Sequence, residues 1–390
     1  LTAGLTSSQY RSRQECSLRV LDPCTCSNST HEHNTSPTMS LKVTSVLGEL
    51  KAQDLGATLT HEHFSLNVVN EFFREPPSHL KQFFGPKITL DTVGYVRQYP
   101  YGSRSNITFF GKEVDEAVIK EMHLFKSYGG GTIVENTSHG IERNLDLCYR
   151  VAKETGVNVI AGTGHYVNGS QNSETLSMTV EEISDLYRSD LTVGHAVPSS
   201  PNMVKCGVIA EVGSSWPITE FEKRAIQATA IVQSELGCAV SFHPGRHRAA
   251  PFEIIRIYAE AGGKIDKADL SHLDRTLQVI EDLLDFAELG TYCQLDLFGT
   301  EVSYYMLAPE IDFPSDAVRV DRIKRLVDEG FGDKVLVSHD IHTKHRLVEF
   351  GGHGYSHLLN IVRPQMAMKG ISEDAISKIF VENPARWLSH

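Results

Sequence analysis

Long apolar runs are absent from this sequence, in which no window reaches the roughly 18 to 20 uninterrupted apolar residues of a membrane-spanning helix. The N-terminal segment also lacks the basic-then-apolar layout of a secretory signal, because Ser, Thr, Asn and charged residues dominate it. A basic excess is missing too, since the chain carries a net charge of −12. These absences argue against a membrane protein, a secreted protein and a surface for nucleic acid or anionic lipid.

The sequence has few cysteines and an odd number of them, which argues against a disulfide framework. The seven cysteines are Cys16, Cys24, Cys26, Cys148, Cys206, Cys238 and Cys293. The last four fall in or near apolar runs, where reduced and buried thiols are expected. The pattern predicts a reducing, cytosolic environment.

The remaining composition is that of a large globular protein. The 390 residues are 41% hydrophobic and 22% charged, which allows a large buried core. Residues 1–38 have the composition of a disordered segment, and Met39 opens a part of the chain that soon becomes periodic. We interpret residues 1–38 as a disordered leader and residues 39–390 as one metal-dependent hydrolase domain, on the evidence of the motifs described next.

The stretch Thr60-His61-Glu62-His63 follows a short apolar run and is typical of a strand end. Because side chains alternate faces along a strand, His61 and His63 point the same way and Glu62 points the other way. Two imidazoles on one face supply half of the coordination shell of zinc or a similar ion. The same tripeptide at His31-Glu32-His33 follows no apolar run, so we assign that copy to the solvated leader.

Short apolar strands recur along the chain, and polar or metal-ligating residues stand at many of their C-terminal ends. After a small edge hairpin at 42–50, the main strands are predicted at 57–63, 132–136, 158–163, 208–212, 239–243, 268–272, 293–297 and 334–339. Helical patterns separate most of them, and most of these patterns end at a glycine. The helices are predicted at 113–128, 144–155, 220–236, 251–261, 277–289, 318–329 and 373–380. This alternation indicates parallel βαβ units, and eight of them predict an α/β fold of the (β/α)8 TIM barrel type.

One connection, residues 65–106, is too long for a simple link between the first two strands and is rich in aromatic residues. We interpret it as a lid over the barrel mouth or as a homodimer contact; a packed insertion without a role in the site is the alternative. The segment 382–388 is predicted to close the other end of the barrel.

Catalytic residues of such a barrel lie at the C-terminal ends of its strands. Four more candidate ligands occupy these positions: Glu211, His243, His272 and Asp340. An acid in an apolar strand requires a metal or a cation beside it, because an uncompensated buried carboxylate costs several kcal/mol. The set suits two divalent ions: His61, His63 and Asp340 on one, His243 and His272 on the other, and Glu211 as the bridge. A single zinc ion is the alternative, and the ligand types also fit iron or manganese.

Together these motifs resemble a known family. Residues 42–390 resemble the phosphotriesterase-like branch of the amidohydrolase superfamily, and are most similar to its phosphotriesterase-related members from animals. The motifs that carry the resemblance are 60–63, 207–213, His243, His272, 337–340 and Asn383-Pro384-Ala385-Arg386. One difference is evident: bacterial phosphotriesterases bridge their metals with a carboxylated lysine, whereas this sequence has Glu211 there.

The resemblance implies a metal-dependent amidohydrolase that acts on linear amides. Its phosphotriesterase-related members are associated with small N-acetylated compounds, foremost N-acetyltaurine, which yields taurine and acetate. Two divalent ions, with Zn²⁺ as the first choice, would lower the pKa of a bound water towards about 7. We expect Glu211 and Asp340 to be catalytic, with Asp340 accepting the proton of that water and passing it to the leaving group.

Substrate contacts are predicted at the same strand ends: His165, Tyr166, Arg246, Arg275 and His342. Arginines suit an anionic group, so we expect a small anionic N-acyl substrate. A lactonase or phosphotriesterase on the same metal site is an alternative, although its hydrophobic leaving groups would favour an apolar mouth. A barrel that binds metal or a metabolite without catalysis is the third interpretation.

Overall fold

A computed structural model describes residues 41–390 with the exception of Ser303. The predicted leader 1–38 and its His31-Glu32-His33 motif lie outside the described residues. The strands are β1 (Lys42–Ser45), β2 (Gly48–Lys51), β3 (Ala57–Glu62), β4 (Leu66–Asn67), β5 (Thr108–Phe109), β6 (Gly130–Glu135), β7 (Asn158–Thr163), β8 (Val208–Gly213), β9 (Ala239–His243), β10 (Ala268–Leu270), β11 (Tyr292–Leu295) and β12 (Val335–Val337).

Eight parallel strands, β3 and β6 to β12, form the TIM barrel that the sequence predicts. They lie side by side in chain order. The first and last of them meet where the Asp340 amide donates a hydrogen bond to the His61 carbonyl at 3.1 Å. The Thr60 hydroxyl also donates to the Val337 carbonyl, at 3.3 Å. The C-terminal ends of all eight strands therefore surround one mouth.

The α-helices cover the outside of the barrel or lie in its loops. They are α1 (Val69–Phe72), α2 (Val93–Gln98), α3 (Arg104–Ile107), α4 (Lys112–Ser127), α5 (Leu145–Thr155), α6 (Ser173–Ser177), α7 (Val180–Thr192), α8 (Glu220–Leu236), α9 (Ala250–Glu260), α10 (Leu273–Thr276), α11 (Ile280–Ala287), α12 (Asp316–Asp328), α13 (Arg363–Met368), α14 (Glu373–Ser377) and α15 (Asn383–Leu388).

The predicted helices and the hairpin are present with shifted ends. Several helices were not predicted, and α7 is the longest of them in the described part of the chain. Its signal is a capping box, in which the Thr179 hydroxyl accepts from the Glu182 amide and the Glu182 carboxylate accepts from the Thr179 amide. The helix predicted at 373–380 is also different, since α14 ends at Ser377 and continues as a π-helix through Glu382.

The apolar core has one part between strands and helices and a smaller part at the bottom of the barrel. Trp387 of α15 is fully buried in this smaller part, against inward residues such as Val134 and Leu336. The prediction that 382–388 closes the barrel is therefore confirmed. Cys148, Cys206, Cys238 and Cys293 are buried and unpaired, as expected. None of the helices in the described part of the chain has the length and apolar character of a membrane span.

Candidate metal centre and active site

The predicted metal ligands come together at the barrel mouth although they lie far apart in the sequence. They are His61, His63, Glu211, His243, His272 and Asp340, and all six are buried. Glu211 lies at the centre: its Oε1 is 3.0 Å from His243 Nδ1 and its Oε2 is 3.5 Å from His63 Nε2. Asp340 Oδ1 lies 3.2 Å from the same His63 atom. The two predicted ligand groups therefore share one carboxylate.

The backbone is irregular at three of these ligands. Glu211, His272 and Asp340 have φ angles of 43°, 58° and 54°, in the left-handed region that non-glycine residues rarely adopt. Such conformations cost about 1–3 kcal/mol each and persist only where the surrounding structure enforces them. The left-handed turn ends β10 before His272, which is why this strand is shorter than predicted. Three of the four non-glycine residues with positive φ in the described part of the chain thus belong to the centre; the fourth is Glu142.

Hydrogen bonds fix the direction of each imidazole ring. The Nδ1 atoms of His61 and His272 lie 3.1 and 2.8 Å from the Asp296 carboxylate. His63 Nδ1 lies 2.9 Å from the Thr137 hydroxyl. With Nδ1 occupied in this way, the Nε2 atoms of these three rings face the centre. His243 is reversed, and presents Nδ1 to Glu211 and to His272 Nε2, which lies 3.0 Å away.

The donor atoms fit divalent metal ions. His61 Nε2 and Glu211 Oε2 are buried and have no hydrogen-bond partner within residues 41–390. Buried polar atoms without partners are rare in folded proteins, because each costs about 1–3 kcal/mol. Metal ions would satisfy both atoms, since imidazole nitrogen and carboxylate oxygen are ordinary zinc ligands. Three groups of side chains among the described residues have the required proximity: His61, His63 and Glu211; Glu211, His243 and His272; and His61, His272 and Asp296. The first two correspond to the two predicted ions and share Glu211.

The acids of the centre stay ionised. Burial would raise the pKa of Glu211, but the charge of His63 and hydrogen bonds from His243 and His272 hold it well below the usual value. Burial likewise opposes ionisation of Asp296, yet His272 and His61 keep its pKa well below the usual range. Both carboxylates are therefore available in their anionic form to interact with a cation or an imidazole N–H at neutral pH.

Asp296 is a functional residue that the sequence reasoning missed. It follows β11, it is fully buried, and one carboxylate oxygen accepts both the His272 amide and the ring of the same residue, at 2.9 and 2.8 Å. Its position at the end of the seventh barrel strand was the available signal, because the other ligands stand at the same level of their strands.

Replacing Asp296 with Asn is expected to weaken metal binding about 10- to 100-fold. The amide keeps the volume but replaces one accepting oxygen with an N–H donor, so the proton of the imidazole that faces it, His61 or His272, would move to the Nε2 atom that should face the metal. Metal affinity can be measured by competition with a chelator. Asp185→Asn, at an exposed ion pair with Arg188, serves as the control. Unchanged affinity would contradict the orienting role.

Glu62, between the two histidines, holds the end of β12 in place. Its carboxylate accepts the Ser338 hydroxyl at 2.8 Å and the amides of His339 and Ile341 at 2.9 and 3.0 Å. Burial raises the pKa of Glu62 to about 7, although these hydrogen bonds act to lower it. The sequence analysis placed Glu62 on the opposite face without a role. In the structure, the Glu62 carboxylate stabilises the turn that carries Asp340 through these hydrogen bonds.

A cavity opens above the ligands and combines apolar walls with cationic groups. Its floor includes Glu211 and Asp340, and the insertion 65–106 contributes Leu66, Phe72 and Tyr101 to one wall. The insertion therefore borders the site, and the interpretation as a packed element without a role there is wrong. The lid and the homodimer contact proposed for the same segment stay predictions.

The structure places four of the five predicted substrate contacts in this cavity: Tyr166, Arg246, Arg275 and His342. The Tyr166 ring lies 4.9 Å from that of His243. His342 Nδ1 is 3.1 Å from Asp340 Oδ1, and its Nε2 is 2.9 Å from the Tyr101 hydroxyl.

The fifth predicted contact, His165, is wrong. Its Nδ1 is hydrogen-bonded to the Tyr187 hydroxyl at 2.8 Å, and its ring packs on Phe221. Burial lowers its pKa to about 3. Neighbouring side chains in an extended segment point in opposite directions, so Tyr166 can reach the cavity only if His165 turns away from it.

The comparisons with known proteins agree with this geometry. The model of the Phosphotriesterase family matches residues 41–388. The chain is 52% identical over 351 residues to a phosphotriesterase-related protein from Aedes aegypti, covering 89% of this chain and 98% of the relative.

Two solved structures are also similar. A resiniferatoxin-binding protein from Rhodobacter sphaeroides superimposes with a TM-score of 0.82 at 25% identity, covering 89% of this chain and 94% of the other. A mutant of a phosphotriesterase-like lactonase from Deinococcus radiodurans superimposes with a TM-score of 0.68 at 22% identity, covering 89% and 99%. The second likeness supports the fold alone.

Proposed function

Because the chain belongs to the phosphotriesterase family, whose enzymes depend on two metal ions, we propose that it hydrolyses the amide bond of small N-acetylated anions. The specific reaction we propose is the conversion of N-acetyltaurine to taurine and acetate. The unpaired thiols of Cys206 and Cys238 suit a reducing compartment, so we place this reaction in the cytosol.

The observation that carries the proposal is a pair of guanidinium groups without a counter-ion. Arg246 and Arg275 line the cavity, and neither has a carboxylate within 4.0 Å in the described part of the chain. Other arginines of the fold have their donors satisfied: Arg143 contacts Asp190 at 2.9 Å and Arg319 contacts Asp274 at 2.6 Å. Arg346, which also lines the cavity, donates to the backbone carbonyls of Asp340, Phe298 and His339 instead of a carboxylate. An unpaired buried charge costs several kcal/mol, so an anionic ligand is the partner these arginines lack.

The residues would hold two ions, with zinc as the first metal to test. His61, His63 and Asp340 would hold one ion, His243 and His272 would hold the other, and Glu211 would give an oxygen to each. When bound, the ions would act as Lewis acids that acidify a water molecule and polarise the scissile carbonyl.

Asp340 would move the proton. Its carboxylate lies between His63 and His342 at the floor of the cavity, where it can accept a proton from the attacking water at Oδ1 or Oδ2. It can then deliver this proton to the departing amine nitrogen. Tyr101 and Tyr166 line the cavity that Asp340 faces.

The experiment measures metal content and acetate release from N-acetyltaurine on one purified full-length sample, before and after removal of metal by a chelator. Two metals per chain with metal-dependent release would support the proposal. Two metals without release from N-acetyltaurine or other N-acetyl amino acids would refute the amide substrate. Metal content near zero at saturating zinc would refute the hydrolase and leave a binding protein.

A second candidate is a lactonase or phosphotriesterase on the same centre. The observation that favours it is the apolar part of the cavity, formed by residues such as Val68, Leu297 and Phe313. A lactone or a phosphotriester has no charge for the two arginines to bind, which ranks this candidate second. Aliphatic lactones and a phosphotriester therefore belong in the same substrate panel.

Replacing Arg275 with Met is expected to raise KM for N-acetyltaurine about 10- to 100-fold, the effect of losing charged hydrogen bonds. Its guanidinium is buried and, among the described residues, donates to the Pro244 carbonyl and the Thr276 hydroxyl alone, each at 3.3 Å. Little fold stability should be lost, because no carboxylate is left unpaired. Metal content must stay at the wild-type level, since Arg275 follows His272 closely in sequence. A KM that rises equally for an uncharged amide would contradict the role.

A further inference from the structure

Arg246 is held between two elements that are distant in sequence. Its Nε donates a hydrogen bond to the Tyr305 hydroxyl at 2.8 Å. The guanidinium carbon lies 5.4 Å from the ring centroid of Phe72 and 5.4 Å from that of Tyr305. Phe72 belongs to the insertion before β6, and Tyr305 belongs to the loop after β11. Both neighbours are aromatic, so they hold the cation without neutralising it.

The contact with Tyr305 leaves one side of the guanidinium available. Only Nε has a hydrogen-bond partner among the described residues, so the N–H groups of Nη1 and Nη2 remain for a ligand in the cavity. A planar guanidinium binds an oxyanion best through two parallel N–H donors. Fixing Nε fixes the plane of this pair. The Tyr305 hydroxyl therefore controls the direction in which Arg246 presents its remaining donors.

The same aromatic wall reaches the metal centre. The Tyr101 ring lies 6.2 Å from both Phe72 and Tyr305, and its hydroxyl is 2.9 Å from His342 Nε2. His342 in turn lies beside Asp340. Arg246 is thus connected by packed side chains to the proposed catalytic carboxylate. This connection sets the distance between the charged end of a ligand and the reacting centre.

We propose that Tyr305 is a positioning residue that orients Arg246 toward the oxyanion of the substrate, which is a sulfonate or a carboxylate. Through this orientation, Tyr305 determines the preference for anionic over neutral substrates. This inference rests on the proposed function, because it assigns the charged end of the substrate to Arg246 at that same site. It adds a residue that touches no reacting atom and acts through the arginine.

The test uses ligands that cannot be hydrolysed, so that binding is measured independently of turnover. Butane-1-sulfonate, pentanoate and the neutral butyl methyl sulfone are titrated by calorimetry into the metal-loaded full chain. The variants are Tyr305→Phe, Arg246→Met and the double variant. Tyr258→Phe is the matched control, since it removes the hydroxyl of another buried tyrosine. Within the described part of the chain, that hydroxyl makes one weak hydrogen bond, of 3.4 Å, to the Lys264 carbonyl.

We expect the wild type to prefer an anion over the sulfone, and Tyr305→Phe to weaken anion binding about 3- to 10-fold with sulfone binding unchanged. In the Arg246→Met background the same change should have no further effect, because the arginine that it orients is gone. The probe that binds more tightly identifies the oxyanion as sulfonate or carboxylate.

Three results would overturn the inference. In the first, the wild type binds the anions no more tightly than the sulfone. In the second, Tyr305→Phe changes anion affinity no more than Tyr258→Phe does. In the third, Tyr305→Phe weakens binding of the sulfone as much as binding of the anions. Failure of the proposed function looks different: anion preference and its dependence on Tyr305 would persist while N-acetyltaurine releases no acetate. Where acetate is released, Tyr305→Phe should raise KM and leave kcat near the wild-type value.

Discussion

A Glu211→Gln variant should bind metal poorly and lose at least about 1,000-fold in kcat/KM. The two metal groups share only this carboxylate, and Lewis-acid stabilisation of a transition state is worth several kcal/mol, with each 1.36 kcal/mol equal to a factor of ten. Glutamine has nearly the same volume, so the change isolates the charge and the second ligand oxygen. Its amide group would also bring N–H donors toward His243 or His63, where an acceptor now lies.

Metal content by mass spectrometry and kcat/KM for N-acetyltaurine are measured on the same preparation. Glu182→Gln serves as the control, because glutamine can replace glutamate in the capping box of α7. Thermal unfolding without added metal establishes that the variant is folded. A folded Glu211→Gln protein that retains two ions and normal turnover would exclude Glu211 as the bridge.

For Asp340→Asn we expect a fall in kcat of about 10²- to 10⁴-fold, the range of general acid-base catalysis, with most of the metal retained. Asparagine keeps an oxygen that can ligate metal, and five other predicted ligands remain, but an amide cannot accept and release a proton at neutral pH. The backbone should tolerate the change, since asparagine adopts the left-handed conformation found here (φ 54°) about as readily as aspartate.

The leaving group distinguishes a proton carrier from a ligand. An amine must be protonated as it departs, whereas a phenolate can depart without a proton. If Asp340 carries the proton, an acetyl ester of a phenol should lose much less activity in the variant than N-acetyltaurine does. Equal losses on both substrates, together with lowered metal content, would reduce Asp340 to a metal ligand.

The sequence was sufficient to predict the barrel strands and the convergence of the candidate metal ligands at one end of the barrel. His61, His63 and His243 stand at the C-terminal ends of apolar strands, and parallel strands of a closed barrel bring these ends to one mouth. Periodicity and position along each strand are local properties, so they can be read without tertiary information. The same holds for Trp387, whose place at the barrel bottom followed from the order of the elements.

Asp296 and His165 show where that reasoning stopped. Asp296 stands in a strand-end pattern as clear as that of Glu211, yet only the folded barrel shows that its two oxygens meet the imidazoles of His61 and His272. His165 was assigned to the cavity because of its strand end. Its actual direction depends on the turn at Gly164, whose φ of 143° is a backbone property that the residue types before it do not reveal.

The sequence by itself determined the barrel, the family and the candidate metal ligands, because these depend on local periodicity and on residue type. Only the tertiary structure decided which imidazole nitrogen faces the centre and that Glu62 fastens the turn of Asp340. It also decided that Tyr305, from the loop after β11, meets Arg246 beside Phe72. These contacts join residues separated by up to 279 positions, and their geometry is set by the packing of several elements at once.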